Sequence, residues 1–187
     1  GWFKDPVLSS MLHYSKGELA SLIIHELTHG TLYVKNDVDF NENLASFVGE
    51  KGAQKFLLQK FGKNSEELAN FKEGLEDEKV FENFLIRCTQ KLKNLYQSFS
   101  NETEEEKLEK KKKLIYQFVV EAYKLPLEHK NKYSKRMRGA LLSGNAFFMS
   151  YQRYDAQKDS LERVLNQKYQ GDIKLYLIDL KRQYKSL

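Results

Sequence analysis

Two histidines four residues apart, the first followed by a glutamate, constrain this chain more than any other stretch: His25-Glu26-Leu27-Thr28-His29. On a helix, residues four apart sit about 40° apart around the axis and one turn along it, so both rings can reach one ion. Glu26 can then touch a water on that ion and act as a general base, which is the chemistry of a zinc hydrolase. The helix itself is announced by Ser15-Lys16-Gly17-Glu18, a capping box placed where a helix carrying the motif should begin. From Leu19 to Leu27 apolar residues fall on nearly every side (Leu19, Ala20, Leu22, Ile23, Ile24, Leu27), which predicts a buried helix. Burying two imidazoles and a carboxylate is costly unless something pairs them, and a divalent metal does so. The alternative is a pair of core histidines with local hydrogen bonds and an exposed glutamate.

A catalytic zinc usually takes three protein ligands and keeps a fourth position for water. Glu42, with twelve residues between it and His29, is the candidate third ligand. Ala45, Ser46, Gly49, Gly52 and Ala53 recur at helical spacing after it and form a stripe of small residues. Such a stripe lets two helix backbones approach, which would bring Glu42 under the histidines. Two alternatives stand beside this. Glu42 would close a second capping box, Asp39-x-x-Glu42, at the start of its helix, or the stripe would be ordinary helix packing with no metal nearby.

Three segments then carry a resemblance. Gly-Trp-Phe-x-Asp-Pro-Val-Leu-Ser at 1–9, His-Glu-Leu-Thr-His-x-Thr-Leu-Tyr-Val at 25–34 and Asn-Glu-Asn-x-Ala-x-Phe-Val-Gly at 41–49 resemble the putative bacterial aminopeptidase family of HExxH zinc metallopeptidases. Farther on, Asn145-Ala146 followed by Tyr151 and Tyr154 is similar to that family's Asn-Ala-x-x-x-x-x-x-x-Tyr segment, although Gly144 stands where the family usually has a first asparagine. The resemblance implies a gluzincin-like site with one zinc ion, His25 and His29 as the zinc pair, Glu26 as catalytic base and Glu42 as third ligand. It favours Tyr154 over Tyr151 as a catalytic donor and sets Asn145 on the substrate side. It also implies a peptide substrate and an extracytoplasmic or envelope-associated protein. Family members are longer, so the resemblance implies a carboxy-terminal portion of a longer protein. The strand-bearing part that holds substrate would lie upstream, since Trp2, Phe3, Val7 and Leu8 supply one short extended segment at most.

Length and composition agree with a mainly α domain, and the resemblance implies that it is a zincin-like helical one. At 187 residues a single domain spanning 1–187 with a substantial core is expected. Only 2 prolines, 30% charged residues and a mean hydropathy of -0.65 suit a helical, water-facing chain, and no apolar run is long enough to span a bilayer. Active-site helices are expected over about 15–61, a helical hairpin over about 79–125 and further helices over about 131–187. Within this plan a turn at Lys63, Asn64 and Ser65 precedes a short helix at 66–71, and Gly74 with the acidic run Glu76 to Glu78 reads as a break. A long helix at 80–99 presents Phe81, Leu85, Cys88, Leu92 and Leu95 on one side, and a helix at 102–124 packs through Leu114, Ile115, Phe118, Val119 and Ala122 until Pro126 ends it. The two read as an antiparallel hairpin, a lid or spacer beside the site. Cys88 is the lone cysteine and lies on the apolar side, so it should pack rather than react.

A net charge of +5 and the cluster Lys107 to Lys113 raise nucleic-acid binding as a class. Glu102, Glu104, Glu105, Glu106 and Glu109 precede or interleave with those lysines, which favours helix-stabilising pairs and no nucleic-acid partner. In the carboxy-terminal third, Arg136, Arg138, Asn145, Tyr151 and Tyr154 are the candidate donors for an oxyanion, while His129, between Glu128 and Lys130, reads as surface. Asn145 and Tyr154, nine apart, would need a bend near Ser150 to face one site. Leu161, Val164 and Leu165 mark a later helix that Gly171 closes, and a last helix starts over 173–180; both read as core cover. The reading that emerges is a zinc-dependent peptidase; the competing class is a non-catalytic helical interaction module with a structural or vestigial metal site.

Overall fold

Ser15 opens the first helix as its sequence predicts. Its Oγ accepts from the Glu18 N–H at 3.2 Å while the Glu18 carboxylate accepts from the Ser15 N–H at 3.0 Å. A computed structural model describes residues 11, 13–144, 147, 148 and 158–185. Among them there are seven helices and no strand: α1 (Lys16–Thr31), α2 (Val38–Phe61), α3 (Glu66–Gln97), α4 (Glu104–Ala122), α5 (Lys130–Ser143), α6 (Lys158–Tyr169) and α7 (Ile173–Lys185). The mainly α expectation holds. No described helix is long and apolar enough to cross a membrane.

The chain divides into two compact units, one drawn from Gly1–Lys72 and Tyr154–Leu187 and the other from Glu73–Arg153. In the first, α1 lies along α2, and Leu32, Leu44, Phe47 and Val48 share a core with Leu161 and Leu165 of α6 and Tyr176 and Leu180 of α7. The last two helices cover the core as their apolar spacing predicts. Gly171, at φ +81°, ends α6 in a left-handed conformation that a glycine adopts at no steric cost.

The α1–α2 approach rests on the small stripe of α2. A Cβ on Gly49 would stand 2.7 Å from the Ser21 carbonyl oxygen, and one on Gly52 would stand 2.8 Å from Ile24 Cδ1. Ala45 and Ala53 are fully buried on either side. Close approach uses one face of α1 only, and this corrects the expectation of a helix buried all round. Thr28 is buried, whereas Ile23 is 50% and Leu27 64% exposed. With α2 on one side, these two side chains turn to the other.

The expected 66–71 helix and the break at Gly74 give way to one 32-residue helix, α3, whose residues from Glu73 onward belong to the second unit. A single helical glycine costs only about 1 kcal/mol, which tertiary contacts readily offset. The acidic run supplies such contacts. Asp77, buried, accepts from the backbone N–H groups of Glu128 and His129 at 2.9 and 2.8 Å and lies 3.0 Å from His129 Nδ1. Burial pushes the Asp77 carboxyl up, but the His129 and Glu128 N–H groups and the imidazole outweigh it and hold the pKa below the ordinary 3.8. His129 is exposed, as expected, and its N–H and ring also anchor Asp77. Arg136, an expected oxyanion donor, is committed to the Glu78 carboxylate at 2.7 Å.

The hairpin of α3 and α4 has the expected packing faces, with Phe81, Leu85, Cys88 and Leu92 against Ile115, Phe118 and Val119. Thr103 and Glu106 form a capping box at the start of α4. Lys107, Lys110 and Lys112 pair with Glu104, Glu102 and Glu109, as the interleaved charges predict. Cys88 is buried, and burial raises its thiol pKa to about 12, so it packs and does not react.

Candidate metal centre

The site is built where α1 meets the first turns of α2. The decisive local event is the cap of α2. Asp37, not Asp39, caps it, accepting from the Phe40 N–H at 3.0 Å. The helix thus starts one residue before Asp39, and Glu42 lies a full turn inside with no capping duty. Its carboxylate turns to the histidines, with Oε2 at 3.5 Å from His25 Nε2 and Oε1 at 3.4 Å from His29 Nε2. The two Nε2 atoms stand 3.0 Å apart, the rings nearly perpendicular at 84°. Glu42, His25 and His29 are thus brought together by three sequence signals acting jointly: the four-residue histidine spacing, the cap at Asp37 and the small stripe beginning at Ala45.

The donor set fits a divalent ion. Two ligand atoms each about 2.0–2.1 Å from a tetrahedral ion stand about 3.3 Å apart; the two Nε2 atoms stand 3.0 Å apart, and each lies 3.4 or 3.5 Å from its own Glu42 oxygen. Without a cation the arrangement is electrostatically awkward. One imidazole can donate its Nε2–H to the other, but the accepting nitrogen's lone pair then faces carboxylate oxygens. A cation at the centre removes the conflict. Burial first, and then the neighbouring His29, lower the His25 pKa from 6.5, against the opposing pull of Glu42 and Glu26. That shift favours the neutral imidazole, the form that ligates.

Around the ligands, Ser46 Oγ lies 3.4 Å from His25 Nδ1. It stands one turn after Glu42 on the same face of α2, and the small-residue reading of the stripe passed over its hydroxyl. His29 Nδ1 is buried without a hydrogen-bond partner among the described residues. Glu26 is exposed on α1 and makes no hydrogen bond or ion pair among the described residues. Asn41, immediately before Glu42, is 2% exposed and clamps the chain that follows α1. Its Oδ1 accepts from the Val34 N–H and its Nδ2 donates to the Val34 carbonyl, both at 2.8 Å. Sequence reasoning passed over Asn41 as well; its signal was an amide side chain in the first turn of a helix, where local backbone partners are common. Tyr154, Asn145 and Tyr151 lie outside the described residues, as do Trp2, Phe3, Val7 and Leu8.

Comparison with known proteins gives one family. The family model described as "Putative aminopeptidase" matches residues 1–185. No curated protein and no solved structure gives a significant match.

Proposed function

We propose, since the chain belongs to the putative aminopeptidase family, that it is a zinc-dependent peptidase whose ion is held by His25, His29 and Glu42. Two imidazoles and one carboxylate are a donor set that zinc takes in hydrolases, with a position left open. The family's name supports peptide hydrolysis; the observation that carries the metal is the convergence of three ligand atoms from two helices. Bound there, zinc supplies Lewis acidity toward a carbonyl oxygen and lowers the pKa of a coordinated water to about 7.

The chain's own residues do the rest. Glu26, open to solvent and without a hydrogen bond or ion pair among the described residues, takes a proton from the attacking water as the water's oxygen bonds to the carbonyl carbon. When the C–N bond breaks, Glu26 returns that proton to the departing amine nitrogen. Ser46 steadies the His25 ring through Nδ1.

Glu26→Gln tests the assignment because it keeps the size of the side chain and removes its basicity. Zinc content and unfolding should be unchanged while peptide turnover falls at least about a hundredfold, the scale of general-base catalysis. Turnover at the wild-type level would overturn the mechanism and favour a metal site with a structural role. Running the assay on one peptide with a free and with an acetylated amino terminus separates exopeptidase from endopeptidase action; the family's name predicts hydrolysis of the free form alone.

A further inference from the structure

Tyr33 lies edge-on to His29, ring centroids 6.4 Å apart at 64°, just beyond the end of α1. It is 61% exposed, an unusual position for an aromatic ring beside a candidate ligand. Its placement is fixed from both sides in sequence. Leu32, in extended backbone at φ -144° and ψ 124°, is buried, and Val34 is held at both backbone groups by Asn41. Successive side chains in extended backbone point to opposite sides, so Leu32 turns to the core and Tyr33 away from it.

Three other hydroxyls near the cluster, among the described residues, have partners. Thr28 Oγ1 donates to the Ile24 carbonyl at 2.7 Å, Thr31 Oγ1 to the Leu27 carbonyl at 2.8 Å, and Ser46 faces His25. The Tyr33 hydroxyl makes no hydrogen bond among the described residues. Resting on the peptidase reading above, we propose that Tyr33 is a substrate-facing catalytic donor, its hydroxyl hydrogen-bonding the scissile carbonyl oxygen as negative charge develops there. The phenol keeps its proton throughout; no bond to Tyr33 forms or breaks. A preorganised donor of this kind strengthens as charge builds, so it lowers the barrier more than it aids ground-state binding.

The test compares wild type with Tyr33→Phe, which keeps the ring against His29 and removes only the hydroxyl. Zinc content is measured first. Calorimetry then follows a Phe-Leu phosphinic pseudodipeptide, whose second oxygen mimics the oxyanion, and a mercaptoacyl dipeptide with the same side chains, which ligates through sulfur and has no such oxygen. Tyr33→Phe should retain stoichiometric zinc, bind the phosphinic compound roughly a hundredfold more weakly, the order that one oxyanion donor is worth, and bind the thiol compound as wild type does. Equal binding of the phosphinic compound by both proteins overturns this role and leaves the peptidase reading standing. An equal loss for both compounds also overturns it, since the hydroxyl would then prop the metal ligands. Wild type that takes up no zinc, or binds neither compound, overturns the peptidase reading and this inference with it.

Discussion

His25 shows how one residue's surroundings set both its chemistry and its pH response. Burial and the neighbouring His29 hold its pKa below 6.5, so the folded chain resists a proton that the unfolded chain accepts. Below pH 6.5 the unfolded state therefore binds more protons, and the metal-free protein loses stability as pH falls from there toward the folded pKa; above 6.5 the contribution is level. Replacing His25 by Gln removes this titration. Urea unfolding at pH 7.5 and 5.5 should show a stability drop in wild type that His25→Gln lessens; an equal drop in both would place the titration elsewhere. At this scale much of the geometry of the candidate site was legible. The histidine pair and Glu26 are spaced by the helix itself, and Glu42 could be reached by counting ligands. The contest between ligand and cap for Glu42 could not be settled from sequence, because Asp37 and Asp39 are both competent caps and the choice rests on where the turn after α1 delivers the chain. Ser46 and Tyr33 were in view only as positions four residues after Glu42 and His29; that Ser46 meets His25 depends on the helix crossing, and that Tyr33 lies beside His29 depends on the Asn41 clamp.

Helices meet or miss one another here through glycine, and two glycines make opposite predictions. At Gly49 an added Cβ would lie 2.7 Å from a backbone oxygen of α1, which cannot swing aside. Gly49→Ala must push α1 and α2 apart, costing about 1–3 kcal/mol as overpacking does, and it should weaken zinc binding because Glu42 rides on one helix and the histidines on the other. Gly52→Ala meets the Ile24 side chain, Cδ1 at 2.8 Å and Cγ2 at 3.1 Å, which can shift further than a backbone oxygen, and should cost less. Denaturant unfolding with a chelator-competition assay reads both quantities; zinc affinity unaltered in Gly49→Ala would separate the metal site from helix spacing. Gly74 is the contrast. It sits inside α3 with nothing within 4 Å of a built Cβ and an ordinary negative φ. Gly74→Ala should stabilise the chain by about 0.4–1 kcal/mol by restricting the unfolded state, whereas a true break at that point would make the substitution neutral or harmful. The error over α3 is instructive. A glycine followed by Glu76, Asp77 and Glu78 has the composition of a turn, yet Asp77 and Glu78 are there to hold His129 and Arg136, partners more than fifty residues away. Local pattern reading has no access to such partners.

Across the whole molecule, the chain passes between the two units twice, and the first passage falls at Lys72 and Glu73, inside α3 and beside Gly74. No proline, low-complexity run or polar linker marks it, because a helix continues through it, and this is why the division leaves no trace in composition. The candidate metal centre belongs wholly to the first unit, with ligands on α1 and α2. A ligand that binds only the folded state stabilises it by RT ln(1 + [L]/Kd), about 2.7 kcal/mol when free zinc stands at a hundred times Kd. That stabilisation is shared only by segments that must unfold when the site opens. Amide hydrogen exchange with and without zinc should therefore show slowed exchange across α1 and α2, and in α6 and α7 through their common core with Leu44, Phe47 and Val48. The core of the second unit, around Phe118 on α4 and Tyr133 and Met137 on α5, should exchange at unchanged rates. Slowed exchange in both units to the same degree would mean that they open as one, with α3 transmitting the constraint along its length. No slowing in α1 or α2 would remove the metal from this helix pair, since an ion bridging His25, His29 and Glu42 cannot leave the segments that carry them free to open.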